Sequence, residues 1–270
     1  MYHRQRQNRR VISPRRGPVP VVPIIRQVQK SDSLPHHPII FLIISSSDVP
    51  QYAKFRECAT RYYSMFSSFV NYFFLECDPH LDTEVKVVDN HYLYVRGHDS
   101  IIPGIFDKTL HGLRYIDSNY SYDLLIRTNL STFWDLHRVL EWKENVPRKF
   151  PYAGGFLIFN DFISGTGIIL SPEAVGVLLL PSFMATKGRI NIHDDVLITR
   201  ILQSAHIPLQ PVKGYHMQYL IDGDINATSN MEKNEPILYY RIRNNDNRDV
   251  DVHHFRFLMN SVYGLENSDS

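Results

Sequence analysis

Apolar residues along the chain follow two periods in turn. Pro38-Ile-Ile-Phe-Leu-Ile-Ile44 is a continuous apolar run that ends in Ser45-Ser46-Ser47-Asp48, the pattern of a strand buried on both faces. Tyr52, Phe55, Cys58, Ala59, Tyr62, Phe66 and Phe69 then recur at intervals of three and four, which predicts a helix with one buried stripe. Val70–Leu75, closed by Asp78-Pro79, is a second buried strand, and Val85–Asn90 and Tyr92–Val95 are short strands. Pro103 opens a helix whose stripe is Ile105, Phe106, Leu110, Leu113 and Ile116.

The pivot is Tyr122–Trp134. Leu124-Leu125-Ile126 predicts a buried strand that breaks at Arg127-Thr128-Asn129-Leu130-Ser131, a polar stretch rich in turn formers. Helical spacing resumes at Phe133, Leu136, Val139 and Leu140. A strand that ends in a polar elbow and feeds a helix is where α/β proteins hold ligands, at the carboxyl ends of their strands. An ordinary connection has the same local pattern.

Farther on, Tyr152–Ile169 reads as strand material broken by Gly154-Gly155 and by Ser164-Gly165-Thr166-Gly167. Ser171-Pro172-Glu173 is a helix start, with Ser at the cap and Pro at the first position. Asp194 or Asp195 caps another helix, apolar at Val196, Leu197, Ile201 and Leu202. The tail carries Tyr215-His216, Tyr239-Tyr-Arg-Ile-Arg-Asn244 and a helical run around Phe255–Tyr263. Strands alternating with helices predict an α/β/α sandwich around a mixed, mostly parallel sheet. Its connections should be right-handed, with the loops gathered at one edge.

Charge changes the picture at the start of the chain. Eight of the 29 basic residues lie in the first forty positions with one of the 28 acids, so the remainder carries 21 against 27, a net of −6. Residues 1–37, basic and rich in proline, are read as a flexible arm, and 38–270 as a single domain. A mildly acidic body argues against a nucleic-acid-binding core, and a nucleic-acid reading rests on the arm alone. Cys58 and Cys77 fall inside predicted elements and read as small apolar residues rather than a bridge. Sequons stand at Asn119, Asn129 and Asn226. The sequence contains no apolar run of eighteen residues and no signal-peptide core, so no membrane span is expected.

Two stretches bear candidate chemistry. Asp194-Asp195 at a helix start caps that helix, or else turns one carboxylate into a cleft to take a proton from a hydroxyl. Ser164-Gly165-Thr166-Gly167 is a turn, or else a place where backbone passes close to a ligand.

Taken in order, these motifs resemble the β-1,3-galactosyltransferase/Fringe family over roughly residues 38–220. Arg56-x4-Arg61 and Ile105-Phe106-Asp107-Lys108-Thr109 are similar to its first half. Asp123-Leu-Leu-Ile-Arg-Thr-Asn-Leu-Ser-Thr-Phe133 resembles its strand ending in Lys-Thr-Asp-Asp-Asp. Gly165-Thr-Gly-Ile-Ile-Leu-Ser171 resembles its Gly-Gly-Gly-Tyr-Val-Leu-Ser segment, and Ile192-His-Asp-Asp-Val196 its Glu-Asp-Val motif. The resemblance implies a GT-A-like fold and inverting transfer of a hexose, of galactose or N-acetylhexosamine type, from a UDP-sugar to a hydroxyl of a glycan or glycoprotein. Asp195 inherits the role of general base, and Asp194 replaces the Glu. Ser45, Arg61, Lys108, Arg127, Asn129 and Ser131 fall to the nucleotide-sugar side, and Gly165, Thr166 and Gly167 to the acceptor side.

One departure matters chemically. Where the family has Asp-Asp-Asp, this chain has Asn129-Leu130-Ser131. Oxygens of Asn and Ser bring no negative charge to Mn²⁺ or Mg²⁺. Three readings stay open: a metal held by Ser131 or His216, diphosphate held by Arg241 and Arg243 instead, or a glycosyltransferase-like module that binds glycan or protein without catalysis. The resemblance also implies a cytoplasmic or viral-factory location, similar to soluble proteins of large DNA viruses. The Golgi lumen fits only a chain from which an anchor was removed.

Overall fold

The computed structural model describes residues 33–47, 49–145, 149–184, 191–221, 236–243 and 247–264. Most of the basic arm and the sequon at Asn226 lie outside these residues. The apolar runs become the centre of an eight-stranded sheet. Its strands are β1 (His36–Ile44), β2 (Val70–Asp78), β3 (Val85–Val88), β4 (Tyr92–Arg96), β5 (Ser121–Asn129), β7 (Ala153–Ile158), β8 (Phe162–Leu170) and β9 (Leu209–Pro211). The order is β3-β4-β2-β1-β5-β8-β7-β9. From β4 to β5 the neighbours are parallel, and β8 then enters antiparallel to both β5 and β7. The sandwich is therefore mixed and mostly parallel, as expected.

Alternation along β1 sorts the core into two layers. Ile39, Phe41 and Ile43 face α1 (Pro50–Ser64), α3 (Leu136–Asn145) and α7 (Arg248–Tyr263). Ile40, Leu42 and Ile44 face α2 (Gly104–Asn119), α4 (Pro172–Leu178) and α6 (Asp194–Ser204). A short helix, α5 (Pro181–Met184), lies between α4 and α6 in the chain. Cys58 and Cys77 are buried free thiols, and burial pushes Cys77 up to about 12.

The pattern misplaced three features. Phe133 does not begin a helix, because Thr132–Trp134 forms β6 and α3 starts only at Leu136. β6 pairs antiparallel with β11 (Ile237–Arg243), which pairs in turn with β10 (His216–Ile221), giving a second sheet of three strands. Tyr62 from α1 fixes this junction: its hydroxyl donates to the Trp134 carbonyl at 2.7 Å and accepts from the Leu136 amide at 3.1 Å. Secondly, the glycines do not break strands, since Gly154 and Gly155 lie within β7 and Gly165 and Gly167 within β8. Thirdly, His193 is the N-cap of α6, and Asp194 and Asp195 are its first two residues. The cap at Ser171 is as expected, its hydroxyl accepting from the Ala174 amide.

Candidate functional site

β1 and β5 end side by side, Ile44 beside Asn129, and the candidate residues gather at that edge. At the end of β1, Ser45 joins two cations from opposite layers. Its hydroxyl donates to Glu76 at 2.7 Å and accepts from Arg56 at 3.1 Å, while Arg56 pairs with Glu76 at 2.5 Å. Glu76 is 1% exposed, so this charge is compensated by an ion pair and a hydrogen bond. The Ser45 carbonyl accepts from the Lys108 ammonium at 2.7 Å, and Lys108 also pairs with Asp99 at 2.5 Å.

At the end of β5, buried Arg127 crosses to the neighbouring elements. One guanidinium nitrogen pairs with Asp194 at 2.5 Å. Another donates to the Gly165 carbonyl and to Asn129. Burial holds the Asp194 carboxyl above its ordinary value, against the pull of Arg127, and Asp195 adds to the rise.

Asp195 points elsewhere. One of its oxygens accepts from the Gly165 amide at 3.0 Å, and the other lies 2.8 Å from the Val196 amide. The carboxylate can come this close because position 165 has no side chain: a Cβ there would lie 3.0 to 3.3 Å from the Asp195 carboxylate and Cβ. Gly167 serves a different neighbour. A Cβ there would meet the Trp134 ring at 2.6 Å, so this glycine admits an indole and lines neither cavity described below.

Two cavities open at this edge. The larger, about 630 Å³, is lined by Ser45, Lys108, Asn129, Ser131, Arg241 and Arg243 among others. The smaller, about 320 Å³, is lined by Arg127, Gly165, Thr166, Asp194, Phe162 and Tyr219 among others. Ile105, Asn129, His193, Asp195, Arg241 and Arg243 line both.

Arg241 projects from β11 onto the elbow between β5 and β6, where it donates to the Ser131 hydroxyl and, at 3.1 Å, to the Ser131 carbonyl. Burial first, and then the neighbouring Arg248 and Arg243, bring its pKa down to about 10 against the opposing pull of Tyr52 and Tyr219. Arg248, on α7, lines the larger cavity and pairs with buried Asp251 at 2.8 Å. Three guanidinium groups thus converge on one wall.

Apart from Asp195, the side-chain oxygens near that wall that could ligate a divalent cation are engaged by cationic side chains. Of the oxygens offered at the elbow, the Ser131 hydroxyl faces Arg241 and the Asn129 side-chain oxygen faces Arg127. The nearby carboxylates of Asp99 and Asp194 are bound to Lys108 and Arg127. Among the described residues no group of three or more His, Cys, Asp and Glu is placed to hold a metal. His216 lies on β10 and lines neither cavity.

Of the residues expected at the site, Arg61 is not brought there: it is exposed in the last turn of α1 and lines neither cavity. Arg56 of the same helix reaches Ser45 instead. Arg248, Asp99, Phe162 and Tyr219 were not anticipated. Only a charged or aromatic side chain in a half-polar context marks them in the sequence.

No family model matches the chain, and no curated protein matches its sequence. Among solved structures it is similar to one described as a glycosyltransferase involved in the glycosylation of the major capsid of PBCV-1. The match covers 81% of this chain and 98% of that one, at 10% sequence identity and a TM-score of 0.46.

Proposed function

We propose that the protein is an inverting glycosyltransferase of GT-A type, which moves a hexose from a UDP-sugar to a sugar hydroxyl without a divalent metal. One observation carries the reading: the Asp195 carboxylate stands on the wall shared by a cationic cavity and a smaller neighbouring one. In this reading the larger cavity takes the donor, with its diphosphate against Arg241 and Arg243, and the smaller takes the acceptor. Asp195 accepts the proton of the acceptor hydroxyl, whose oxygen attacks the anomeric carbon. The bond from that carbon to the diphosphate oxygen breaks on the opposite face, and the departing negative charge is met by guanidinium groups already in place. Arg127 holds Asp194 and the Gly165 carbonyl, and so keeps the start of α6 against β8. Lys108 acts from beneath, by fixing the Ser45 carbonyl at the end of β1.

The test is calorimetric titration of UDP-glucose, UDP-galactose and UDP-N-acetylglucosamine in EDTA and then in Mn²⁺, with turnover measured for wild type and Asp195→Asn. The expected result is binding that persists in EDTA and turnover that falls by about 10²–10⁴-fold in the variant. Binding that requires Mn²⁺ overturns the metal-free clamp. Binding with no turnover by wild type favours a binding module, and no binding overturns the donor assignment.

A further inference from the structure

The smaller cavity has one wall that the chemistry above leaves unused. Phe162 opens β8, and Phe162, Ser164 and Thr166 all line the cavity. Tyr219, on β10, lines it as well and remains 43% exposed. Tyr219 pairs in register with Arg241, so it stands where the cationic wall gives way to the smaller cavity. The same cavity is lined by Ser164 and Thr166, whose hydroxyls lie 2.8 Å apart.

The neighbours of Phe162 in the chain are tied to α6. The amide of the next residue, Ile163, donates to the Thr199 hydroxyl of α6 at 3.1 Å. Arg200 grips Asp161 through two contacts of 2.7 and 2.8 Å. Backbone anchored on both sides of an aromatic residue lowers the cost of ordering that residue against a ligand.

We infer that Phe162 and Tyr219 form the acceptor wall, on which the C–H face of a terminal pyranose packs. This deepens the transferase reading and rests on it. The substrate class that follows is a saccharide acceptor, because aromatic faces beside hydroxyls match a ring with one apolar face and polar edges. A cavity of about 320 Å³ is at the small end of ligand sites, which suits one sugar ring rather than a folded polypeptide segment.

Saturation-transfer difference NMR on the full chain tests the wall, with methyl β-galactopyranoside and methyl β-glucopyranoside as probes in the presence of UDP. UDP affinity is measured in parallel by calorimetry. Wild type should saturate the ring C–H protons of at least one probe. Phe162→Ala and Tyr219→Ala should each cut that signal several-fold while UDP still binds, and Phe162→Tyr should restore it. UDP binding with saccharide signals equal in wild type and both alanine variants, or with no saccharide signal in wild type, overturns the wall alone. Failure of wild type to bind UDP overturns the transferase reading and the wall with it.

Discussion

Arg127 and Asp194 meet at 2.5 Å with both side chains almost wholly out of water, so the end of β5 is tied to the start of α6 by a buried ion pair. Such a pair is costly to break from one side, because the remaining charge has neither water nor partner. Arg127→Met should destabilise the protein by about 3–5 kcal/mol, read as a lower urea midpoint. Arg127→Met with Asp194→Leu should recover a large part of that loss. Equal midpoints for the single and double variants would contradict the coupling.

Gly165→Ala places a methyl group against the Asp195 carboxylate at 3.0 to 3.3 Å. The carboxylate must shift by a few tenths of an ångström or more, and misplacement near 1 Å can cost about 10²-fold in rate. The expected outcome is a protein with near-normal thermal stability and UDP affinity and strongly reduced turnover. Gly167→Ala should behave in the opposite way, losing stability because the Trp134 ring has no room to move.

Arg241 is a charge held at a cost. Its folded pKa of about 10 lies below the usual arginine range, so the charged form penalises folding at every pH under about 10, and the penalty fades as pH rises above it. Arg241→Gln should therefore stabilise the free protein by about 1–2 kcal/mol, after allowance for the weakened bonds to Ser131. The same change should weaken UDP binding more than tenfold. Melting curves with and without UDP read both effects, since a ligand that binds the folded state raises the midpoint.

A clamp made of guanidinium groups answers to salt rather than to chelators. UDP affinity should stay within about twofold in excess EDTA and fall several-fold between low and high ionic strength. A metal bridge would give the reverse pattern.

What was readable in the sequence followed how local each signal is. β1 and β2 stood out because burial on both faces leaves an unbroken apolar run. The Asp194-Asp195 elbow stood out because two acids open an apolar-striped helix. β6 did not, since three residues that pair with a strand a hundred positions away leave no periodicity of their own. The two basic residues of Arg56-x4-Arg61 look equivalent in a motif, yet five residues turn a helix by about 140° beyond a full turn. They cannot both face one way, and Arg56 is the one that reaches Ser45 and Glu76 at the end of β1. Gly165 and Gly167 likewise read as a single ligand-approach signal, but one makes room for a carboxylate and the other for an indole. Arg248, Phe162 and Tyr219 reach the site through tertiary packing alone.

The residues common to both cavities carry a kinetic consequence. With Ile105, Asn129, His193, Asp195, Arg241 and Arg243 forming a party wall, neither compartment can fill without altering the boundary of the other. Two substrates on opposite sides of that wall form a ternary complex, and initial-velocity plots against one substrate at fixed levels of the other should give lines that intersect. Parallel lines would mean that the sugar rests on the protein between two separate visits, and Asp195 would then be its resting place rather than a proton acceptor.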